Sequence, residues 1–196
     1  MRMATMKKSR LFLLLPVLLL AACVTPGVEA PQQSPVTVDS SGRVMRLRAD
    51  RNQDDSIGRN IASQLRQSEA ALFKGVSVLA WDRVVLLTGA VAKPEHRRRV
   101  EQIAKATDGV DVVFNDVIVA EIPDVTVFVP EVWHEQRIYA GLLGQTDIAG
   151  AYVVRMVNGV VTLMGTARDA EDVAKAVAFA REAEGVKWVV NHVTVK

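Results

Sequence analysis

Few side chains in this 196-residue chain are placed to do covalent or metal chemistry. There is one cysteine, Cys23, and the three histidines, His96, His134 and His192, lie far apart. A single thiol forms neither an intrachain disulfide nor a cysteine zinc cluster, and three scattered imidazoles leave little for a metal cage. Asp147 and Asp169 are acids without a paired partner in sequence. No Ser-His-Asp ordering and no glycine-rich phosphate loop occurs. The expectation is a protein that is not an enzyme, with no metal site and no cofactor. Two features remain: a lone thiol behind an apolar run, and an aromatic and cationic group around Trp133.

The thiol decides location. Lys7, Lys8 and Arg10 precede an uncharged apolar run at residues 11–22. As a helix that run spans about 18 Å, too short for a hydrocarbon core of roughly 30 Å. Residues 1–22 therefore read as a cleaved signal peptide. The run ends Leu20-Ala21-Ala22-Cys23, which resembles the bacterial lipobox, where a cysteine after small residues is acylated. The sulfur is the nucleophile that such an alkylation needs. Two or more acyl chains on Cys23, at about 0.8 kcal/mol per buried CH₂, anchor stably. Val24 rather than Asp follows the cysteine, and by resemblance to enterobacterial sorting this implies the outer membrane.

Charge and composition then bound the mature protein. The precursor carries 24 basic and 22 acidic residues. Loss of Arg2, Lys7, Lys8 and Arg10 turns the net charge from +2 to −2, so a general nucleic-acid footprint is absent. An apolar share of 49% excludes disorder for the chain as a whole. Residues 23–55 read as a lipidated N-terminus and flexible linker, with Pro26, Pro31 and Pro35 and no sustained apolar periodicity.

The remainder is one unit written twice. Gly89 aligns with Gly165, and Gly109-Val110 aligns with Gly185-Val186 at the same distance downstream. Asn115, Val117 and Val119 fall on Asn191, Val193 and Val195. A one-residue shift brings Ile61 onto Ile138 and Leu65 onto Leu142. Each copy reads helix, strand, strand, helix, strand, over residues 56–121 and 131–196, with an interdomain segment at 122–130. The fold class is α+β: an antiparallel hairpin and a parallel third strand give a three-stranded mixed sheet, covered by two helices. Asn158-Gly159 predicts a two-residue hairpin in the second copy, and Trp81-Asp82-Arg83 predicts a longer or irregular turn in the first. Pro130 suits a first helical turn, Asp169 an N-cap, and Gly89 and Gly165 a strand exit or unusual φ. The run Val125-Thr126-Val127-Phe128-Val129 predicts core or an interdomain strand, with an exposed edge as its functional alternative. His96-Arg97-Arg98-Arg99 reads as a solvated helix face, against contact with lipid phosphates or an acidic partner.

These spacings resemble the BON domain in both copies. The second offers Val160-Val161-Thr162-Leu163-Met164-Gly165 and Gly185-Val186-Lys187-Trp188-Val189-Val190-Asn191. The first offers Val84-Val85-Leu86-Leu87-Thr88-Gly89 and Gly109-Val110-Asp111-Val112-Val113-Phe114-Asn115. Behind a lipobox, the pair resembles the dual-BON-domain outer-membrane lipoproteins of Gram-negative bacteria. That resemblance implies a non-catalytic lipoprotein on the periplasmic face of the outer membrane, supporting envelope integrity. It also implies binding of anionic phospholipid through the first helix of the second domain, and association with the outer-membrane protein assembly machinery.

In that helix Ile138 and Leu142 define the core side, and Trp133 lies roughly opposite. Arg137 and Ala140 lie close to Trp133, and Tyr139 flanks the outer face with Leu143. Trp and Tyr suit a membrane interface, and Arg pairs with phosphate in two-point geometry. Trp133, Arg137, Ala140 and Tyr139 are thus the candidate phospholipid site. The alternative for Trp133 is packing against the first domain or the linker, and the alternative function is a periplasmic protein-protein adaptor.

Overall fold

The computed structural model describes residues 37–38, 44–45 and 48–195. The leader and Cys23, with the signal-peptide and acylation readings attached to them, lie outside the described residues. Strands β1 (Thr37–Val38) and β2 (Val44–Met45) pair antiparallel within the expected linker. Helix α1 (Arg48–Phe73) then begins, so the linker reading fails from Arg48 onward. The reason is tertiary: Asp54 is buried and fastened to a hairpin, and Ile57 packs beneath Gly109. The Asp54 contact, which lies within the expected linker, leaves no periodic apolar signal in the local sequence.

Ile57, Ile61 and Leu65 recur every fourth residue and form the buried stripe of α1, whose helical geometry is interrupted at Glu69. Strands β3 (Val76–Trp81) and β4 (Val84–Val91) form an antiparallel hairpin. Helix α2 (Pro94–Lys105) starts with its proline in the first turn and buries Val100, Ile103 and Ala104. The chain returns as β5 (Val112–Asn115), parallel to β4, and continues along β4 as β6 (Ile118–Val119). The expected third strand is therefore broken in two. The Asn115 side chain accepts from Val117 N at 3.3 Å at this break, while Asp116 N still donates to Leu87 O.

The second copy repeats the plan. Helix α3 (Val132–Gly144) precedes the hairpin of β7 (Gly150–Val157) and β8 (Val160–Ala167). Helix α4 (Ala170–Arg181) leads to β9 (Trp188–Val195), parallel to β8 over all eight residues. Asp169 is the N-cap of α4, accepting from Asp172 N at 2.9 Å, as its position predicts. Pro130 is not in a helical turn: it bridges Val157 just before α3. Residues 125–129 are not a strand. Asp124 accepts from both Thr126 N and Thr126 Oγ1, and Phe128 N donates to Asp124 O, so the segment curls into a turn.

Each domain has its own core between sheet and helices. The first is built on Ile61, Val85, Leu87 and Val100, the second on Ile138, Met156, Leu163 and Ala176. All core residues lie between 57 and 193, inside the compact unit Ser34–Lys196. The opposite sheet faces are also buried, at Leu86 and Thr88 in one domain and at Thr162, Met164 and Thr166 in the other. The two domains meet there. The rings of Phe114 and His192 stack at 3.8 Å, nearly parallel, and Asp116 Oδ2 lies 3.0 Å from His192 Nε2.

The glycines shared by the copies sit inside β4 and β8 rather than at strand exits. Gly89 has φ +103° and Gly165 φ +124°, and a Cβ on either would collide with a backbone carbonyl oxygen, of Gly75 just ahead of β3 or of Ala151 in β7.

Candidate functional site

Helix α3 buries only Ile138 and Leu142. Most of its remaining surface faces solvent, and much of that surface is apolar. Trp133 is 69% exposed, Val132 55%, Tyr139 42% and Leu143 40%. Trp133, Arg137 and Ala140 follow one another at i, i+4 and i+7, and all three are exposed. Tyr139 and Leu143 form a second exposed stripe beside them. Neither the indole nor the guanidinium is covered by the first domain, so packing against it does not account for Trp133.

Two carboxylates fix how α3 sits. Glu131 Oε1 accepts from Gly159 N at 2.8 Å, tying the helix start to the β7–β8 turn. Glu135 Oε1 accepts from Met156 N at 3.0 Å and pairs with Arg155 at 3.3 Å, tying the first turn to the edge of β7. With these anchors and the two buried apolar residues, the outer face is held outward by a rigid support.

Arg137 is the one cation among the four candidate residues, and it is engaged. Its Nη1 lies 2.9 Å from Glu184 Oε2, beyond the end of α4. Beside this pair runs a groove of about 330 Å³ between α3 and α4, with Ile138, Phe179 and Ala183 on its apolar lining and His134 and Glu182 also along it. Glu184 was not legible as a site residue, because no sequence spacing connects it to Arg137.

The most buried chemistry lies elsewhere and is structural. Asp172 is fully buried, accepts from Ala149 N at 3.0 Å and pairs with Arg168. Burial, and then the Asp172 charge, push the Tyr152 hydroxyl up to about 12, so it stays protonated. That hydroxyl donates to Ala149 O at 3.2 Å, and the cluster closes the loop ahead of β7. Of the other candidates, Asp147 pairs with Lys175, and Arg97 donates to Asn115 O, holding α2 to β5. Among the described residues no group of three or more His, Cys, Asp or Glu side chains is arranged to hold a metal ion, and no helix is long and apolar enough to cross a membrane.

The repeated geometry has a counterpart in known sequences: the BON domain family matches residues 53–121 and 132–196. The chain belongs to the BON domain family. It is 29% identical over 128 residues to "Uncharacterized protein in gshII 5'region" of Anaplasma centrale, across 64% of this chain and 84% of that one. It is 25% identical over 190 residues to "Osmotically-inducible protein Y" of Escherichia coli (strain K12), across 93% of this chain and 94% of that one. Among solved structures, CdsD, a structural protein of the type III secretion system of Chlamydia trachomatis, aligns with 73% of this chain and 63% of its own, at 19% identity and a TM-score of 0.30.

Within this family frame the two BON domains of the chain differ on the helix that matters. The first BON domain places Ile57 under Gly109; the second places His134 under Gly185. His134 Nδ1 lies 3.3 Å from Glu131 Oε2, so the side chain under the glycine is apolar in one BON domain and a polar ring beside a carboxylate in the other. The second BON domain thus has a polar flank on α3 next to its exposed aromatic face.

Proposed function

We propose that this BON-domain protein is a non-catalytic, lipid-anchored component of the bacterial envelope, on the periplasmic face of the outer membrane. In this reading it contacts anionic phospholipid through the outer face of α3. The observation that carries it is the exposure of Trp133 beside Arg137, Tyr139 and Ala140 on a helix that buries only two residues. An indole and a phenol at an interface, with a guanidinium for the phosphate, make a headgroup contact. Anchoring at Cys23 would raise the local concentration of membrane, so weak contact suffices. The full-length likeness to a protein named for osmotic induction supports a role in envelope integrity under osmotic stress.

Residues 34–196 hold both cores and make the test specimen, free of the anchor. In flotation with phosphatidylglycerol vesicles, Trp133→Glu is expected to weaken binding at least ten-fold while the circular dichroism spectrum and unfolding midpoint stay unchanged. Undiminished flotation of a folded Trp133→Glu protein removes the site.

A second reading is an adaptor for the outer-membrane assembly machinery. It rests on β9, an eight-residue strand at the edge of its sheet whose first residue, Trp188, is exposed. Wild-type protein that ignores vesicles but cross-links to a partner through β9 supports this reading instead.

A further inference from the structure

The cation of the lipid-facing helix is already occupied. Arg137 Nη1 is 2.9 Å from Glu184 Oε2, and both side chains are largely exposed, at 54% and 75%. A carboxylate and a phosphate both accept hydrogen bonds from a guanidinium and carry the charge it attracts, so they compete for it. Glu184 reaches Arg137 from beyond the end of α4, on the rim of the groove whose lining includes Ile138, Phe179 and Ala183. Glu182 lies along the same groove with the same charge, but its carboxylate makes no ion pair with Arg137 among the described contacts.

We propose that Glu184 is an internal competitor of the phospholipid phosphate: it holds Arg137 in the free protein and is displaced when an anionic headgroup docks on α3. The inference rests on the lipid reading above and adds a regulation to it. An exposed ion pair is weak, so the latch is readily opened. The latched fraction of molecules is not competent to bind, and the apparent affinity falls by that fraction. For a pair of ordinary surface strength, release is worth about two- to six-fold in affinity.

Binding of residues 34–196 to phosphatidylglycerol vesicles in a phosphatidylcholine background reads this directly. Glu184→Gln is expected to bind about two- to six-fold more tightly than wild type. Glu182→Gln removes the same charge from the same groove without touching Arg137, and is expected to gain distinctly less. In an Arg137→Gln background, Glu184→Gln should gain no more than Glu182→Gln does. Equal gains for the two single variants overturn the latch, because net charge alone then explains both. Displacement of bound protein by millimolar inorganic phosphate also overturns it, by making the site one for free phosphate. The latch and the lipid site fail separately. If Trp133→Glu abolishes binding but Glu184→Gln gains nothing over Glu182→Gln, only the latch is wrong. If Trp133→Glu binds like wild type, the site itself is wrong. Silence from both wild type and Glu184→Gln removes latch and site together.

Discussion

At Gly89 and Gly165 a backbone requirement and a packing requirement coincide. Each has positive φ, and each lets a neighbouring carbonyl approach where a Cβ would stand. Alanine at either position must therefore distort the central strand or break the hairpin. We expect Gly165→Ala to cost about 3 kcal/mol or more, read from urea unfolding, and a loss below about 1 kcal/mol would show that the strand yields cheaply. The pairing of the glycines across the repeat was visible in the sequence. Their place in mid-strand was not, because the strand continues past them to Val91 and Ala167 through residues whose faces are both buried. Asn115 and Asn191 share a second local device: each accepts from the backbone N–H two residues on, at 3.3 and 3.0 Å. A recurring Asn among valines signals such a turn-like bond more readily than a ligand.

Among the elements, the two hairpins show how one geometry arises by two routes. Asn158 and Gly159 adopt φ +51° and +77°, the turn that Asn-Gly prefers. Asp82 and Arg83 adopt φ +48° and +64°, a region that aspartate tolerates but arginine does not favour. The expected irregular turn is thus a tight two-residue turn, with Trp81 paired to Val84. Asp54 supplies the support: its two carboxylate oxygens accept from Asp82 N at 3.1 Å and Arg83 N at 3.3 Å. Arg83 adds a two-point bond to Asp111, both contacts at 2.7 Å, which holds the Arg83 guanidinium above and the Asp111 carboxyl below their ordinary ranges. In the second domain Glu131 stands where Asp54 stands, but its turn needs less help. Asp54→Ala should therefore destabilise by about 1–3 kcal/mol, and Glu131→Ala by less, in matched denaturation curves. The reverse order would show that Asp54 is incidental to the turn.

For the whole molecule, the decisive feature is how the two sheets face each other. Phe114 and Asp116 of the first domain meet His192 of the second, and Thr162 Oγ1 also reaches Asp116, at 3.4 Å. This junction uses the sheet faces that carry no helices, and so leaves α3 and its Trp133 on the outside. Phe114→Ala removes the stacked ring. We expect wild-type residues 34–196 to unfold in one thermal transition in calorimetry, and Phe114→Ala to split or broaden it, with both domains folded beforehand. A sharp, unshifted transition would mean that the ring contributes nothing to coupling.

Period and repetition determined much of this protein from the sequence alone. Apolar residues every fourth position marked the helices, alternation marked the strands, and self-similarity marked two domains of one α+β design. Those signals are local, or they compare the chain with itself. The start of α1 at Arg48, the tight Asp82-Arg83 turn and the grip of Glu184 on Arg137 depend on groups from 28 to 47 residues apart. The turn at residues 125–129 and the meeting of the two sheets were likewise decided in space. Such contacts are settled by side-chain reach and by competition for backbone hydrogen bonds, and neither leaves a periodic trace along the chain. Whether an outward helix face stays open or is covered belongs to that second class, which is why the availability of Trp133 was decided only by the tertiary structure.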